Sequence, residues 1–219
     1  MGDAEKIKKM FSKISNDYDF LNHFLSFGID NLWRKKVANI IKDKGFEKVL
    51  DVACGTGDLT MEISKKINRD TWGIDFCWEM IKIAKRKYRN LTFAVGDATN
   101  LPVKNSSFDA VTIAFGIRNI PERVKALKEF YYILKKNGYL LILEFSMPKN
   151  FIMKFYFKKV LPFIGGLISD KEAYTYLPDS VKNFPETNFF KKEIEAVGFK
   201  VIKIHSMNFG LVKIYIAEK

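Results

Sequence analysis

Residues 50–58 read LDVACGTGD, a short apolar run that is followed by two glycines and the start of a helical pattern. Gly55 and Gly57 allow the backbone a tight turn and a close approach to a ligand. The helix that follows offers free amide groups and the positive end of its dipole. Because open α/β sheets bind ligands at the carboxyl ends of their strands, this stretch predicts a binding turn after the first strand of such a sheet.

On both sides of this turn, apolar runs of strand length alternate with helical patterns. The predicted strands are residues 48–53, 71–75, 91–98, 108–116 and 139–146. The predicted helices between them are residues 57–67, 76–88 and 121–136, the last of which ends at Asn137-Gly138 in the manner of a C-cap. This alternation predicts right-handed βαβ units and a parallel sheet.

The chain closes with a predicted helix over residues 187–198 and two strands over 199–207 and 211–219. The short connection between these strands predicts a hairpin, so the last pair runs antiparallel. We therefore predict an α/β, Rossmann-like fold with a mostly parallel seven-stranded sheet, an antiparallel last strand and helices on both faces.

Two segments fall outside the alternation. Near the N-terminus, apolar residues at helical spacing predict a first helix, and Asp30-Asn31 predicts the cap of a second helix through Ile41. Residues 149–185 are aromatic and punctuated by proline, which indicates a lid-like insertion over one end of the sheet. We expect a single domain with four parts, namely an N-terminal helical cap (1–44), a ligand-binding core (45–148), the lid (149–185) and a C-terminal helix and strand pair (186–219).

Composition narrows the class of protein. Hydrophobic residues make up 47% of the 219 residues, which excludes a disordered chain. The net charge of +12 favours an acidic partner such as a membrane surface or nucleic acid, although a lysine-rich surface without such a partner explains it equally well. With two cysteines outside any metal-like cluster, no signal-peptide core and no apolar run of spanning length, we expect a cytoplasmic protein without a disulfide framework or metal site.

Acidic residues at three strand ends identify the ligand class. A dinucleotide fingerprint needs a third glycine at position 60, where this chain has Thr60. Asp75 ends the second strand, where a carboxylate can accept hydrogen bonds from ribose hydroxyls, and Asp97 ends the third, where it can accept from an adenine amino group. Together with Asp51, this arrangement resembles the class I S-adenosylmethionine-dependent methyltransferases, with Ala53 in place of their first glycine.

Longer motifs narrow the resemblance. FSKISNDYDFLNHFLSFGIDNLWRKK, DVACGTGD, FGIRNIPE, LEFSMP and KVLPFIGGLIS…AYTYLPDSVKNFP are similar, in this order, to the ubiquinone/menaquinone biosynthesis C-methyltransferases. The resemblance implies methylation of a ring carbon of a polyprenylated quinol precursor, either demethylmenaquinol, 2-methoxy-6-polyprenyl-1,4-benzoquinol or both. Beyond the glycine turn, it places cofactor contacts at Thr56, Asp75, Asp97, Ala98 and Ala114.

The stretch VTIAFGIRNIP (111–121) supplies the expected catalytic pair. A quinol carbon becomes a good nucleophile when an adjacent ring hydroxyl loses its proton, and a cation beside that oxygen stabilises the phenolate-like charge. We expect Arg118 to polarise the quinol and Asn119 to orient it, while the alternative for Arg118 is a structural ion pair with Glu144. No general base is assigned; the candidates on segments that could cover the site are Tyr18, Asp19, His23, Tyr174 and Tyr176.

The segment KNFIMKFYFKK (149–159) has four lysines, no acids and the large apolar residues Phe151, Ile152, Phe155, Tyr156 and Phe157. This composition fits either an interfacial helix at the inner face of an anionic membrane or a lid over the site. The membrane alternative suits a substrate whose isoprenoid tail stays in the bilayer. A homodimer contact is left open. One competing function is another small-molecule methyltransferase. A second is an RNA methyltransferase, which the scattered basic residues and the lack of a recognisable RNA-binding module disfavour. The third is a non-catalytic scaffold, which the acids at three strand ends disfavour.

Overall fold

A computed structural model describes residues 3–15, 18–26, 28–67, 70–148 and 171–219. The helices in these ranges are α1 (Asp3–Ile14), α2 (Tyr18–Leu25), α3 (Asp30–Asp43), α4 (Asp58–Ile67), α5 (Trp78–Lys87), α6 (Arg123–Ile133), α7 (Lys171–Asn183) and α8 (Thr187–Ala196). The strands are β1 (Val49–Val52), β2 (Thr71–Asp75), β3 (Thr92–Val95), β4 (Phe108–Ala114), β5 (Leu134–Phe145), β6 (Lys200–Met207) and β7 (Val212–Glu218). No helix within the described ranges is long and apolar enough to cross a bilayer.

The seven strands form one sheet in the order β3-β2-β1-β4-β5-β7-β6. Neighbouring strands are parallel except that β7 runs antiparallel to β5 and β6. This confirms the predicted sheet and its antiparallel last strand. The strand order reverses between β1 and β4, and this switch point is where an open α/β sheet leaves a crevice for a ligand.

Helices cover both faces of the sheet because the side chains of its strands alternate between the faces. In β5, Leu141 packs with α3 and α4 residues such as Val37 and Ile63. Its neighbour Leu140 packs on the opposite face, where the contacts include Phe130 of α6 and other buried residues of α6 and α8. The sheet is thus buried on both sides, which explains why its central strands are almost uniformly apolar.

The end of α6 differs from the sequence prediction. The helix ends at Ile133, and Leu134 already has extended backbone (φ −72°, ψ 138°) and pairs with Phe108 of β4. Asn137 (φ 61°) and Gly138 form a tight irregularity inside β5, so the predicted C-cap at these residues is wrong. Glycine is needed at 138 because a Cβ there would lie 2.8 Å from the Lys135 carbonyl oxygen.

The start of α3 also differs from expectation. The residue preceding the helix is Ile29, whose side chain makes no cap hydrogen bond, and the Asp30 amide donates to Ser26 Oγ (3.4 Å). The Asp30 carboxylate instead accepts hydrogen bonds from Arg34, one turn along the helix, and from the Ser26 hydroxyl (2.8 Å). Arg34 is buried and needs a charged partner, which Asp30 supplies at the cost of the predicted cap.

Asp51 lies in the middle of the sheet, although a buried carboxylate is costly. Its two oxygens accept hydrogen bonds from the hydroxyls of Thr60 on α4 (2.7 Å) and Thr112 on β4 (2.8 Å). Burial raises the pKa of Asp51 to about 7, with the two threonine hydroxyls acting in the opposite direction. Asp51 therefore joins the first strand to the helix behind the glycine turn.

The raised pKa of Asp51 predicts a pH-dependent effect on stability. An acid with a higher pKa in the folded state stabilises the fold at low pH and loses that contribution as pH rises from about 4 to about 7. Asp51→Asn removes this loss, so its free energy of unfolding relative to the wild type should increase by on the order of 2 kcal/mol between pH 4.5 and 7.5. Urea unfolding at several pH values measures the difference.

Asp109→Asn is the matched control for this measurement. The pKa of Asp109 is lowered, because its hydrogen bonds from Lys135 and from the Lys48 and Glu47 amides outweigh the effect of burial. Asp109 therefore stabilises the fold above about pH 4 and loses this contribution only at lower pH. If the free energies of unfolding of the wild type and of Asp51→Asn changed in parallel with pH, the raised pKa of Asp51 would be contradicted.

Candidate functional site

A cavity of about 370 Å³ opens at the carboxyl ends of the strands, at the predicted edge of the sheet. Its size lies at the lower end of the range for small-molecule and cofactor sites. The residues predicted to form the site and found in its lining are Tyr18, Ala53, Gly55, Asp75, Asp97, Ala98, Ala114 and Asn119. The topology thus brings together residues from four strand ends and from the N-terminal helices.

The glycine turn has the backbone that its sequence predicts. Gly55 (φ 56°) and Gly57 (φ 88°) both adopt left-handed conformations, and a Cβ at Gly57 would lie 2.7 Å from the Phe93 ring. Ala53, which stands where the related pattern has its first glycine, is also left-handed (φ 52°). An alanine in this conformation costs roughly 1–2 kcal/mol, so the turn forms in spite of local strain.

Asp75 is the acidic group best placed to meet a ligand. One oxygen accepts from the Gly55 amide (2.9 Å) and the other from the Cys77 amide (2.8 Å), which fixes the carboxylate at the rim of the cavity. Burial raises the pKa of Asp75 to about 6, although these backbone hydrogen bonds lower it. Each oxygen has further lone pairs with which it can accept hydroxyl donors.

Asp97 lies at the neighbouring strand end. One of its oxygens accepts from both the amide and the hydroxyl of Thr99 (2.8 and 2.9 Å). Asp97, Ala98 and Thr99 all line the cavity, so a polar acceptor stands beside a small apolar surface. This combination suits a flat heteroaromatic ring with an exocyclic amino group.

Three predicted cofactor residues do not line the cavity. Asp51 is buried between two threonines, and Gly57 packs against Phe93. Thr56 is buried and donates its hydroxyl to Asp19 of α2 (2.5 Å). The structure therefore places these residues behind or beside the turn, where they shape it.

The N-terminal helices cover the cavity from one side. Phe11 and Tyr18 line it, and Tyr18 Cε1 is 3.8 Å from the position of a Cβ on Gly55. Asp19 ties α2 down, because its second oxygen accepts from Lys87 Nζ (2.7 Å), which also donates to Asp58 (2.6 Å). Burial alone would lower the pKa of Lys87, but its two carboxylate partners raise it above its ordinary value.

His23, a candidate base from the sequence, lies outside the cavity lining. Its Nδ1 is 2.7 Å from Asp30 and its Nε2 is 3.7 Å from Asp58. These carboxylates place it in the polar network that holds α2 against α3 and α4. Its position therefore connects His23 with the N-terminal helical cap more than with the cavity.

Arg118 and Glu144 form a buried ion pair, the alternative raised from the sequence. Arg118 Nη1 donates to a Glu144 oxygen (2.7 Å) and to the Phe115 carbonyl (2.6 Å), while the two side chains are 7% and 0% exposed. Burial raises the pKa of Glu144, and the charge of Arg118 opposes this effect. The guanidinium also lies 5.5 Å from the centre of the Phe145 ring.

Asn119 lines the cavity directly beside this ion pair. Its Nδ2 donates to the same Phe115 carbonyl (3.3 Å), and its Oδ1 accepts from the Tyr176 hydroxyl of α7 (2.9 Å). The structure thus brings Tyr176 next to Asn119. The side chain of Tyr174 and the whole segment 149–159 lie outside the described residues.

Sequence reasoning did not select several residues that shape the site. Phe11 was expected only as part of a helix, yet it lines the cavity together with Phe76, Met80, Phe115 and Ile120. Ser180, which accepts a hydrogen bond from Arg118 Nε (3.3 Å), stands inside the quoted motif AYTYLPDSVKNFP. That motif is the signal that could have identified it.

Comparison with known proteins agrees with this geometry. The ubiE/COQ5 methyltransferase family matches residues 1–219. The chain belongs to this family. A relative from Geotalea daltonii, the ubiquinone/menaquinone biosynthesis C-methyltransferase UbiE, is 44% identical over 99% of this chain and 97% of its own length. A demethylmenaquinone methyltransferase from Chlorobaculum parvum is 40% identical over 97% of this chain and 92% of its own.

Solved structures show the same fold. An S-adenosylmethionine-dependent methyltransferase from Thermotoga maritima, described as a possible histamine N-methyltransferase, superposes with a TM-score of 0.69 over 96% of this chain and 99% of that one, at 22% identity. The chain is a methyltransferase that uses S-adenosylmethionine. The cavity lining fits this cofactor, because it combines carboxylate acceptors at Asp75 and Asp97, which ribose hydroxyls and an adenine amino group can meet, with apolar surface at Ala98 and Met80.

The pKa of Asp75 predicts how cofactor affinity depends on pH. Ribose hydroxyls donate to the ionised carboxylate, so protonation of Asp75 below about pH 6 should weaken binding. We expect the Kd for S-adenosylmethionine to increase on the order of ten-fold from pH 7.5 to pH 5. Isothermal titration calorimetry at fixed ionic strength measures this change.

Asp75→Asn should bind more weakly and lose most of the pH dependence, while Asp109→Asn, which alters an acid at the opposite end of β4, should match the wild type. A wild-type affinity that stays constant between pH 5 and pH 7.5 would show that the carboxylate is not the acceptor.

Proposed function

We propose that this chain transfers the methyl group of S-adenosylmethionine to a ring carbon of a polyprenylated quinol, namely demethylmenaquinol, 2-methoxy-6-polyprenyl-1,4-benzoquinol or both. The single observation that carries the proposal is the buried cation Arg118 in the turn after β4, which lies outside the cavity lining but directly precedes Asn119, a lining residue. The functions for which the two relatives are named agree with it.

S-adenosylmethionine supplies an activated methyl group. The protein therefore has to bind the quinol, orient its ring carbon toward that methyl group and exclude water. The aromatic side chains of Trp33, Phe115 and Phe145 pack together beside Arg118, with ring centres 4.5 to 6.0 Å apart. This apolar wall lowers the local polarity and thereby strengthens the interaction of Arg118 with an oxygen that gains negative charge.

Asn119 and Arg118 have complementary tasks in this proposal. Arg118 stabilises the ring oxygen as it becomes phenolate-like, while the Asn119 amide donates a hydrogen bond that fixes the ring relative to the cofactor. Tyr18 is the proposed contact with the ring, and Tyr176 is proposed to act on the ring through Asn119. Tyr18 lines the cavity from α2, and Tyr176 reaches Asn119 from α7.

A labelling experiment tests the proposal. Purified protein is incubated with methyl-labelled S-adenosylmethionine and membranes from a strain that lacks this activity, and label is counted in the solvent-extracted lipids. We expect label in a lipid of quinone size. Asn119→Ala and Arg118→Ala should each reduce the label in lipid on the order of a hundred-fold. Arg118→Ala removes the cation that stabilises the ring oxygen, and Asn119→Ala removes the hydrogen bond that fixes the ring.

The matched control is Arg123→Ala, which removes an arginine in a more exposed ion pair with Glu193 only five positions along the chain. Since Arg118→Ala leaves Glu144 buried without its partner, thermal unfolding and cofactor affinity are measured for every variant. Label in RNA or in small polar molecules, with none in lipid, would exclude the quinol and leave the cofactor assignment intact.

We further propose that the protein works in the cytoplasm, in peripheral contact with the inner face of the membrane that holds its substrate. The net charge of +12 supports attraction to anionic lipid. Phe209, between β6 and β7, is 79% exposed on left-handed backbone (φ 55°), where an aromatic residue is held out to solvent. Ser146 donates to the Gly210 carbonyl and anchors this turn to the end of β5.

Sedimentation with vesicles tests this contact. We expect binding to vesicles with phosphatidylglycerol, weaker binding to pure phosphatidylcholine, and a loss when salt is raised, because exposed charges are screened. Phe209→Ser should weaken binding several-fold. Phe189→Ser, which alters an aromatic side chain that is 65% exposed on α8, should not. Equal sedimentation with both lipids would contradict an electrostatic contact.

A further inference from the structure

One face of α7 contacts both residues of the expected catalytic pair. The Tyr176 hydroxyl donates to Asn119 Oδ1 (2.9 Å), and Arg118 Nε donates to Ser180 Oγ (3.3 Å). Residues four positions apart lie on the same side of a helix, so a single face of α7 reaches both side chains. Asp179, between them, points to solvent.

Ser180 is itself held in one orientation. Its hydroxyl proton is donated to the Leu177 carbonyl, one turn earlier in α7 (2.9 Å). The Ser180 oxygen is therefore left to accept, and Arg118 Nε is the donor that meets it. Ser180 therefore influences the orientation of the Arg118 guanidinium and adds no charge beside it.

The remaining contacts of Arg118 show how its guanidinium group is oriented. A guanidinium has five N–H donors. Three of them meet the Phe115 carbonyl, Glu144 and Ser180, whereas in the described part of the chain the two on Nη2 meet no acceptor. The three contacts occupy Nε and Nη1, and together they fix the plane in which Nη2 projects.

Asn119 is fixed in the same manner. Its Oδ1 accepts from Tyr176 and one Nδ2 hydrogen meets the Phe115 carbonyl. These two contacts decide which end of the amide is oxygen and which is nitrogen, so the second Nδ2 hydrogen has a defined direction. Without Tyr176, a rotation of the amide by half a turn would exchange a donor for an acceptor.

We propose that Ser180 and Tyr176 are positioning residues of the methyl transfer, which hold Arg118 Nη2 and Asn119 Nδ2 toward the oxygens of the substrate ring. This inference rests on the proposed function. It predicts losses in the chemical step and in ring binding while cofactor binding is unchanged, because neither Ser180 nor Tyr176 lines the cofactor cavity. Small misplacements of a catalytic group are sufficient to slow a reaction ten- to a hundred-fold.

The experiment compares four variants with the wild type in methyl transfer to a short-tailed quinol in detergent. We expect kcat/KM to fall about ten-fold in Ser180→Ala and in Tyr176→Phe, with an unchanged Kd for S-adenosylmethionine and an unchanged unfolding temperature. Ser180→Thr keeps the hydroxyl and should retain most of the activity. Asp179→Ala, the control on the same helix, should equal the wild type.

Each outcome separates the two levels of the proposal. If the wild type methylates the quinol and Ser180→Ala equals Asp179→Ala, the positioning role is wrong and the proposed function stands. If Ser180→Ala and Ser180→Thr lose activity together with stability or cofactor affinity, the role of Ser180 is structural and the inference is overturned. If the wild type does not methylate the quinol, the proposed function fails and the positioning role fails with it.

Discussion

The buried ion pair between Arg118 and Glu144 is the constraint on which the site depends. The register of β4 and β5 places Ala114 beside Leu143, so the residues just beyond them meet at the carboxyl edge. Breaking a buried pair by removal of one partner costs about 3–5 kcal/mol, because the other charge is left without compensation. Loss of either side chain would therefore destabilise the two strand ends, and the pair holds the arginine where a solvated one would move.

Around this pair, the carboxylates at the strand ends have different tasks. Asp75 and Asp97 face the cavity, whereas Asp51 is turned into the sheet and joins β1 to α4 through Thr60. The raised pKa values of Asp51 and Asp75 both follow from burial, but of the two only Asp75 lines the cavity, where a ligand can supply hydrogen-bond donors. A buried acid in a cavity wall is typical of a residue that serves binding.

Much of this architecture could be predicted from the sequence because it depends on local patterns. The alternation of strands and helices, the glycine turn and the acids at strand ends are all encoded over a few neighbouring residues. Asp75 and Asp97 both line the cavity. The end of α6 was wrong by three residues because pairing of Leu134 with β4 outweighed the helical propensity of Lys135 and Lys136.

The contacts that sequence reasoning missed join distant positions. Thr56 meets Asp19 across 37 positions, and Arg118 meets Ser180 across 62. No periodicity reports such pairs, since they arise when α2 and α7 fold over the sheet edge. The choice between a catalytic and a structural Arg118 was likewise open in the sequence, and the geometry is compatible with both, since the ion pair leaves Nη2 without an acceptor among the described residues.

The most direct test of the central claim is the rate of methyl transfer to the quinol by Glu144→Gln. Glutamine keeps the shape of the side chain and removes the charge that holds Arg118. If the ion pair fixes a catalytic cation, kcat should fall at least ten-fold while the Kd for S-adenosylmethionine and the folded state are retained. A folded Glu144→Gln variant with the wild-type kcat would contradict this, and would show that the pair serves the fold alone.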